Sequence, residues 1–203
     1  MKIYTLPLGD YQTNCYIVHD ENSTACAIVD PGYQAGTILK ALDSLGLKAD
    51  AILLTHGHFD HVGAVEKLVE ATGCKLWMSE RDWSQFPSPL IAHYFPLANC
   101  DFCEVQFCGD GQEIAAGGVL FTAMSTPGHT TGSMCYLCGD ALFSGDTLFA
   151  RSCGRTDLPG GDWDTIQNSL ARLAALEGDY NVFPGHGEAT TLSRERRLNP
   201  YMR

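Results

Sequence analysis

His56-Gly57-His58-Phe59-Asp60-His61 packs four side chains able to bind a metal into six consecutive positions. The block directly follows the apolar run Ala51-Ile52-Leu53-Leu54-Thr55 and precedes an amphipathic stretch. Alternation along an extended turn lets His56 and His58 point the same way, while Asp60 and His61 turn toward a second point. A lone histidine is most often a satisfied polar or surface residue. Three His and one Asp crowded at the end of one buried strand are hard to explain without metal. The spacing differs from the zincin pattern, in which two His sit at i and i+4 on a helix with Glu between them. Imidazole and carboxylate together suit zinc, iron, nickel or manganese.

Two further histidines recur in Pro-Gly turns that follow apolar strands: His129 in Thr126-Pro127-Gly128-His129-Thr130, and His186 in Phe183-Pro184-Gly185-His186-Gly187. Between them, Leu142-Phe143-Ser144-Gly145-Asp146 ends a strand in an aspartate. Taken singly, each reads as a turn residue or a helix-cap neighbour. Together the four strand ends supply five of the seven histidines and two aspartates, enough for two metals sharing one carboxylate.

The elements that must carry these residues read as short strands and amphipathic helices. Residues 2–8, 14–19 and 25–30 alternate or run apolar in short pieces, as strands do. Asp30-Pro31-Gly32 then ends the third strand with turn chemistry. Residues 34–45 predict a helix stopped by Gly46, and Val62, Val65, Leu68 and Val69 recur at helical spacing up to Gly73. Strands follow at 51–55 and 75–78, several more after 104, then a helix near 163–176 and a strand ending at Pro184. The segment 80–103, with Pro87, Pro89 and Pro96, reads as irregular loop or short helices, and loops of that length are usually functional. Strands and helices in each half predict a layered α/β fold.

At 203 residues the chain is expected to form a single domain over 1–203, large enough for a full core without disulfides. Hydrophobic residues make up 45% and charged residues 18%, which excludes a disordered chain. A net charge of −11 makes phosphate-backbone binding a poor fit, so no nucleic-acid partner is expected. No apolar run reaches the roughly 18 residues of a membrane span, and the amino terminus lacks a secretory apolar stretch. Nine cysteines, an odd number, then favour free thiols in a reducing cytoplasm. The pairs Cys100/Cys103 and Cys135/Cys138 have CxxC spacing, but Cys135 and Cys138 lie on an apparent strand and point to opposite faces. Buried or incidental thiols are therefore favoured over a four-cysteine zinc site.

The set His-x-His-x-Asp-His, then His, Asp and His, resembles the metallo-β-lactamase fold superfamily, with matching residues from Asp30 to His186. The resemblance implies a four-layer αββα sandwich with metals at one edge of two sheets. It implies that His56, His58 and His129 hold one metal, that Asp60, His61 and His186 hold a second, and that Asp146 bridges them. Asp30, in Val-Asp-Pro-Gly, matches the family's first motif and would support the site without ligating; a turn-forming Asp before Pro is equally compatible. Cys153-Gly154-Arg155-Thr156-Asp157, and the run from Pro184 through Thr190-Thr191 to Glu195-Arg196 and Asn199-Pro200-Tyr201, resemble the glyoxalase II-like branch, particularly its short single-domain bacterial members.

By that resemblance the expected activity is hydrolysis of a small-molecule thioester or thiol conjugate, of the hydroxyacylglutathione hydrolase type. A hydroxide bridging two divalent metals, zinc foremost with iron, manganese or nickel compatible, would attack the thioester carbonyl. Asp60 and Asp146 would be the catalytic carboxylates. Arg155 falls where glyoxalase II carries a basic residue near its substrate; pairing with Asp157 or Asp162 is the equal alternative. The chain runs 17 residues past His186, so the helical domain that helps glyoxalase II hold glutathione is not expected. The Gly-Arg-Thr-Asp stretch also resembles persulfide dioxygenases, which would hold one iron with His56, His129 and Asp146 and leave positions open for O₂. The charge run Arg194, Glu195, Arg196, Arg197 reads as a solvated or ion-paired tail.

Overall fold

The computed structural model describes residues 1–84, 93–97 and 101–202. Strands β1 (Lys2–Leu8), β2 (Thr13–His19), β3 (Ala25–Val29), β4 (Lys48–Leu53), β5 (Lys75–Met78) and β6 (Val105–Phe107) form one sheet in chain order. β1, β2 and β3 pair antiparallel, and β3 to β6 pair parallel. Beyond them come β7 (Glu113–Ala116), β8 (Val119–Ser125), β9 (Met134–Cys138), β10 (Ala141–Gly145), a small hairpin of β11 (Leu148–Phe149) and β12 (Ser152–Cys153), then β13 (Asn181–Pro184) and β14 (Thr190–Thr191). The second sheet runs β14-β13-β10-β9-β8-β7.

Side-chain alternation explains the layering, because successive residues of a strand face opposite sides. On β2, Tyr16 and Val18 join a cluster shared with Phe121, Tyr136 and Phe143 of the second sheet, so this core lies between the sheets. Cys15 and Ile17 face the other way, into a cluster with Ile38 and Leu42 of α1 (Ala35–Leu45) and Val65 and Leu68 of α3 (Val65–Thr72). Cys135 and Leu142 of the second sheet pack outward against Leu170 and Leu173 of α5 (Trp163–Ala174) and Leu192 of α6 (Leu192–Leu198). The result is helix, sheet, sheet, helix. Strands buried on both faces account for the near-continuous apolar runs in β2 and β3.

Two short helices complete the set, α2 (Phe59–Val62) inside the histidine block and α4 (Glu80–Ser84). β4 begins at Lys48 and ends at Leu53, rather than covering 51–55, because Lys48 and Asp50 alternate outward before the buried run begins. Cys135 and Cys138 do fall on opposite faces, one beneath α5 and the other between the sheets. Cys103 packs against the cluster beneath α3, while Cys100 and much of the 80–103 segment lie outside the described residues. Among the described residues no helix is long and apolar enough to cross a membrane.

The carboxyl-terminal charge run corrects the expectation of a solvated or ion-paired tail in part: Arg194 and Arg197 are exposed, but Glu195 and Arg196 belong to the packed structure. Residues 192–198 form α6, and Glu195 is fully buried. Arg196 donates from Nε to Ala174 O at 2.9 Å, from Nη1 to Gly178 O at 2.7 Å, and from Nη2 to Leu176 O. These carbonyls lie at and just beyond the end of α5, where helix carbonyls lack partners and favour a cation. Arg196→Ala should therefore destabilise the protein by about 2 kcal/mol, a fall in Tm of roughly 4–8 °C by calorimetry.

Candidate metal centre

Every residue of the predicted cluster follows the carboxyl end of a strand at one edge of the two sheets. His56, His58, Asp60 and His61 come after β4, His129 after β8, Asp146 after β10, His186 after β13 and Asp30 after β3. All seven predicted ligands meet there. One group comprises His56, His58 and His129, whose ligand atoms lie within 4.8 Å of one another; a second comprises Asp60, His61 and His186.

Asp146 stands between them. Its Oδ2 is 3.6 Å from His129 Nε2 and 3.5 Å from His186 Nε2, and its Oδ1 is 3.4 Å from His61 Nε2. His61 and His186 bring their Nε2 atoms to 3.3 Å, and His186 Nε2 is 3.2 Å from Asp60 Oδ2. His58 Nδ1 and His129 Nε2 are 2.9 Å apart. Ligand atoms held tetrahedrally about 2.0–2.1 Å from one ion would sit roughly 3.3 Å apart, so these spacings fit shared coordination.

Four of the five imidazoles have Nδ1 engaged by the protein, which leaves Nε2 as the inward atom. His61 donates from Nδ1 to Asp30 Oδ2 at 2.9 Å, His129 to Arg155 O at 2.7 Å, and His186 to Tyr11 O at 3.1 Å. Thr55 spends its hydroxyl hydrogen on Asp30 Oδ2 at 2.6 Å, so it accepts from His56 Nδ1 at 3.0 Å. Asp30 thus orients His61 directly and His56 through Thr55, and it also accepts from Thr55 N at 2.8 Å. Outer hydrogen bonds of this kind fix tautomer and ring orientation at metal sites.

His56 Nε2 and Asp146 Oδ1 are buried with no hydrogen-bond partner, as is His58 Nε2. Buried polar atoms left orphaned are uncommon, and each asks for an unseen partner. A divalent cation in each group would give His56 Nε2 and Asp146 Oδ1 a partner, and the oxygen and nitrogen donors suit such an ion, so the residues fit it.

Electrostatics point the same way. Burial, and then the neighbouring imidazoles, push His56 well below the usual range and His58 down to about 2, so both are neutral lone-pair donors. Burial opposes a proton on His61, but Asp146, Asp30 and Asp60 outweigh it and raise that group to about 9. His186 is also raised against burial, by its bond to Asp60 and by Asp146. Asp60 is held down despite burial, by His186 and His61. Without metal, then, protons on the second group offset its carboxylates. Because His61 is raised, it carries an extra proton below pH 9, and a metal taking Nε2 must expel it. Metal affinity should rise with pH up to about 9, with proton release at pH 7.5 seen by calorimetry in buffers of different ionisation heat.

Three supports were not legible from the sequence. Asp82, 1% exposed, accepts from Gly57 N at 3.0 Å, Thr130 Oγ1 at 2.8 Å and Gly132 N at 2.7 Å, tying the His56–His58 turn to the His129 turn. Asn14 Nδ2 donates to Pro184 O at 3.0 Å and Gly187 O at 2.9 Å, bracketing His186. Thr13 Oγ1 donates to Asp60 Oδ2 at 3.3 Å. Gly185 is required by close approach, since a Cβ there would overlap Asp146 Oδ1.

Beside the centre lies a cavity of about 670 Å³, walled by Tyr11, Phe59, Tyr94, Phe149, Cys153 and Arg155 among others. Arg155 lies on its lining and forks onto Asp157, Nε to Oδ1 at 2.6 Å and Nη2 to Oδ2 at 2.7 Å.

The family profile described as metallo-beta-lactamase superfamily matches residues 8–186. The hydroxyacylglutathione hydrolase GloC of Haemophilus influenzae is 36% identical across 100% of this chain and 98% of its own length. Among solved structures, the BLEG-1 B3 metallo-beta-lactamase aligns with TM-score 0.88 and 31% identity over 99% of both chains. ETHE1 from Myxococcus xanthus aligns with TM-score 0.84 and 30% identity over 98% of this chain and 84% of that one. TTHA1623 in a di-iron-bound form aligns with TM-score 0.83 and 35% identity over 98% and 99%. Fold, strand-end His/Asp cluster and profile agree: the chain belongs to the metallo-beta-lactamase superfamily.

Proposed function

We propose that this chain is a binuclear metal-dependent hydrolase acting on a small-molecule thioester, of the hydroxyacylglutathione hydrolase type. The observation that carries the reading is Asp146, set between the two groups, its Oδ1 buried with no hydrogen bond and 3.4 Å from His61 Nε2. His56, His58 and His129 would hold one ion, Asp60, His61 and His186 the other, and Asp146 both. The full-length likeness to GloC supports the thioester as substrate. Such ions polarise a carbonyl and lower the pKa of a water from 15.7 toward about 7.

The chain's own residues do the rest. Asp60, held by Thr13 and His186, would accept a hydrogen bond from the attacking water and orient its lone pair. The aromatic walls offer apolar surface along which an acyl or thiol chain would lie. Arg155 is a substrate contact in this reading. Its pair with Asp157 is exposed on both sides, and exposed pairs are weak, so an anionic substrate can draw the guanidinium away. Arg155→Ala should raise KM by about 10-fold, the worth of one charge-assisted hydrogen bond, with kcat and Tm nearly unchanged. Zinc is the first choice of metal, and the di-iron form of TTHA1623 makes iron the main rival.

The likeness to ETHE1 favours one alternative, a persulfide dioxygenase using a single iron on His56, His129 and Asp146. Oxygen dependence separates the two. Hydrolysis of S-lactoylglutathione at equal rates in air and under argon supports the hydrolase. Oxygen uptake with glutathione persulfide, and no thioester turnover, overturns it.

A further inference from the structure

The β11–β12 hairpin contributes Phe149, Ser152 and Cys153 to the cavity wall. Two residues are too few on each strand to hold a wall by backbone pairing alone. Its tip is also strained: Arg151 adopts φ 59, a left-handed conformation uncommon for a residue with a side chain. Something outside the hairpin must hold it.

At its base Leu148 is fully buried and its carbonyl accepts from Ser144 Oγ at 2.7 Å; the tip is held from α6 and the residue that caps it, Asn199. Glu195 and Asn199, one helical turn apart, are both fully buried. Glu195 Oε2 accepts from Arg151 N at 2.6 Å, at the strained position itself. The two hydrogens of Asn199 Nδ2 are shared among Ser152 O at 2.9 Å, Glu195 Oε2 at 3.0 Å and, more weakly, Phe149 O at 3.3 Å. Thr190 Oγ1 donates to Glu195 Oε1 at 2.6 Å. The buried carboxylate is thus satisfied by three donors and serves as the hub between helix and hairpin.

What the hairpin touches gives the hold its consequence. The ring of Phe149 lies 6.2 Å from that of His186. Beyond β12, Gly154 presses so closely on the turn that a Cβ would overlap Asp146 O and lie 3.2 Å from His129 Nδ1. The next residue, Arg155, offers the carbonyl that receives the His129 Nδ1 proton.

We propose that Glu195 and Asn199 are positioning residues: through them the carboxyl-terminal helix braces the Leu148–Cys153 hairpin and sets the substrate-facing wall of the cavity. The consequence for substrate binding rests on the hydrolase reading above, whereas the brace itself does not.

The test compares metal-loaded wild type with Glu195→Ala, Glu195→Gln and Asn199→Ala. Amide exchange over 148–155 should rise about 10–100-fold in Glu195→Ala, the shift expected from losing a charge-assisted hydrogen bond. Exchange in β2, β4 and β10 should stay at wild-type values. Glu195→Gln, which keeps one acceptor, should fall between, and Asn199→Ala should loosen the same segment if Glu195→Ala does not fold. With S-lactoylglutathione as probe, KM should rise about 5–20-fold while kcat stays within about 3-fold and metal content is unchanged. Unchanged exchange at 148–155, or a rise no larger than elsewhere in the chain, overturns the brace. A loss in kcat with KM unmoved overturns its role in the wall. If wild type cleaves no thioester, the hydrolase reading fails and the exchange measurement still decides the brace.

Discussion

Asp146→Ala should reduce bound metal from two ions per chain to one or none, and lower thioester hydrolysis by about 10³-fold, or ~4 kcal/mol of transition-state stabilisation. The reason lies in how its oxygens are shared. Oδ2 faces one histidine from each group, at 3.6 Å and 3.5 Å, and Oδ1 faces His61 at 3.4 Å. Removing the carboxylate leaves each group short of an anionic donor and removes the only carboxylate common to both among the described residues. Asp146→Asn is the sharper variant, because it keeps the volume and one carbonyl oxygen while losing the charge. It too should lose metal, with Tm of the metal-free protein within a few degrees of wild type. Mass spectrometry of metal content beside the hydrolysis rate checks both.

Asp30→Ala should combine lost stability with weakened metal binding. Asp30 is 1% exposed and receives three hydrogen bonds, from Thr55 N, Thr55 Oγ1 and His61 Nδ1. Truncation strands those donors in the interior, which costs about 3–5 kcal/mol when a charge loses its buried partner. For a chain of this size that is a fall in Tm of roughly 6–20 °C. Asp30 also sits at φ 49, which Asp and Asn tolerate better than Ala. Asp30→Asn should therefore fold more stably than Asp30→Ala, yet still bind metal about 10–100-fold more weakly, since the orientation of His61 and His56 depends on the carboxylate. Thermal denaturation and metal titration of the two variants separate the backbone effect from the orienting effect.

The parts of this arrangement that could be read from the sequence are those encoded locally. His56 to His61 announce themselves because four ligand types fall within six residues. The Pro-Gly turns around His129 and His186 repeat a recognisable punctuation after apolar strands. The supports could not be read this way, since their meaning lies in distant partners. Asp82 bonds Thr130, 48 positions on, and Asn14 bonds Pro184, 170 positions on. In Ser79-Glu80-Arg81-Asp82-Trp83 one acid looks like another, and only the fold buries Asp82 while leaving Glu80 exposed. Glu195 stands among arginines, and Arg194–Arg197 read as a solvated or ion-paired tail. Its partner Arg151 lies 44 residues upstream, and nothing local marks a carboxylate that ends fully buried. Arg155 shows the reverse: its sequence leaves a substrate contact and an ion pair equally open, and the structure contains the Asp157 fork, on the lining of the cavity.

The proposed site holds two ions that work together in hydrolysis. Its most direct test is titration of metal-free chain with zinc or ferrous iron, following bound ion per chain and S-lactoylglutathione hydrolysis in the same samples. Saturation is expected at two ions per chain, with hydrolysis rising to its maximum only as the second ion binds. Saturation at a single ion, with no thioester hydrolysis at any loading, would contradict it.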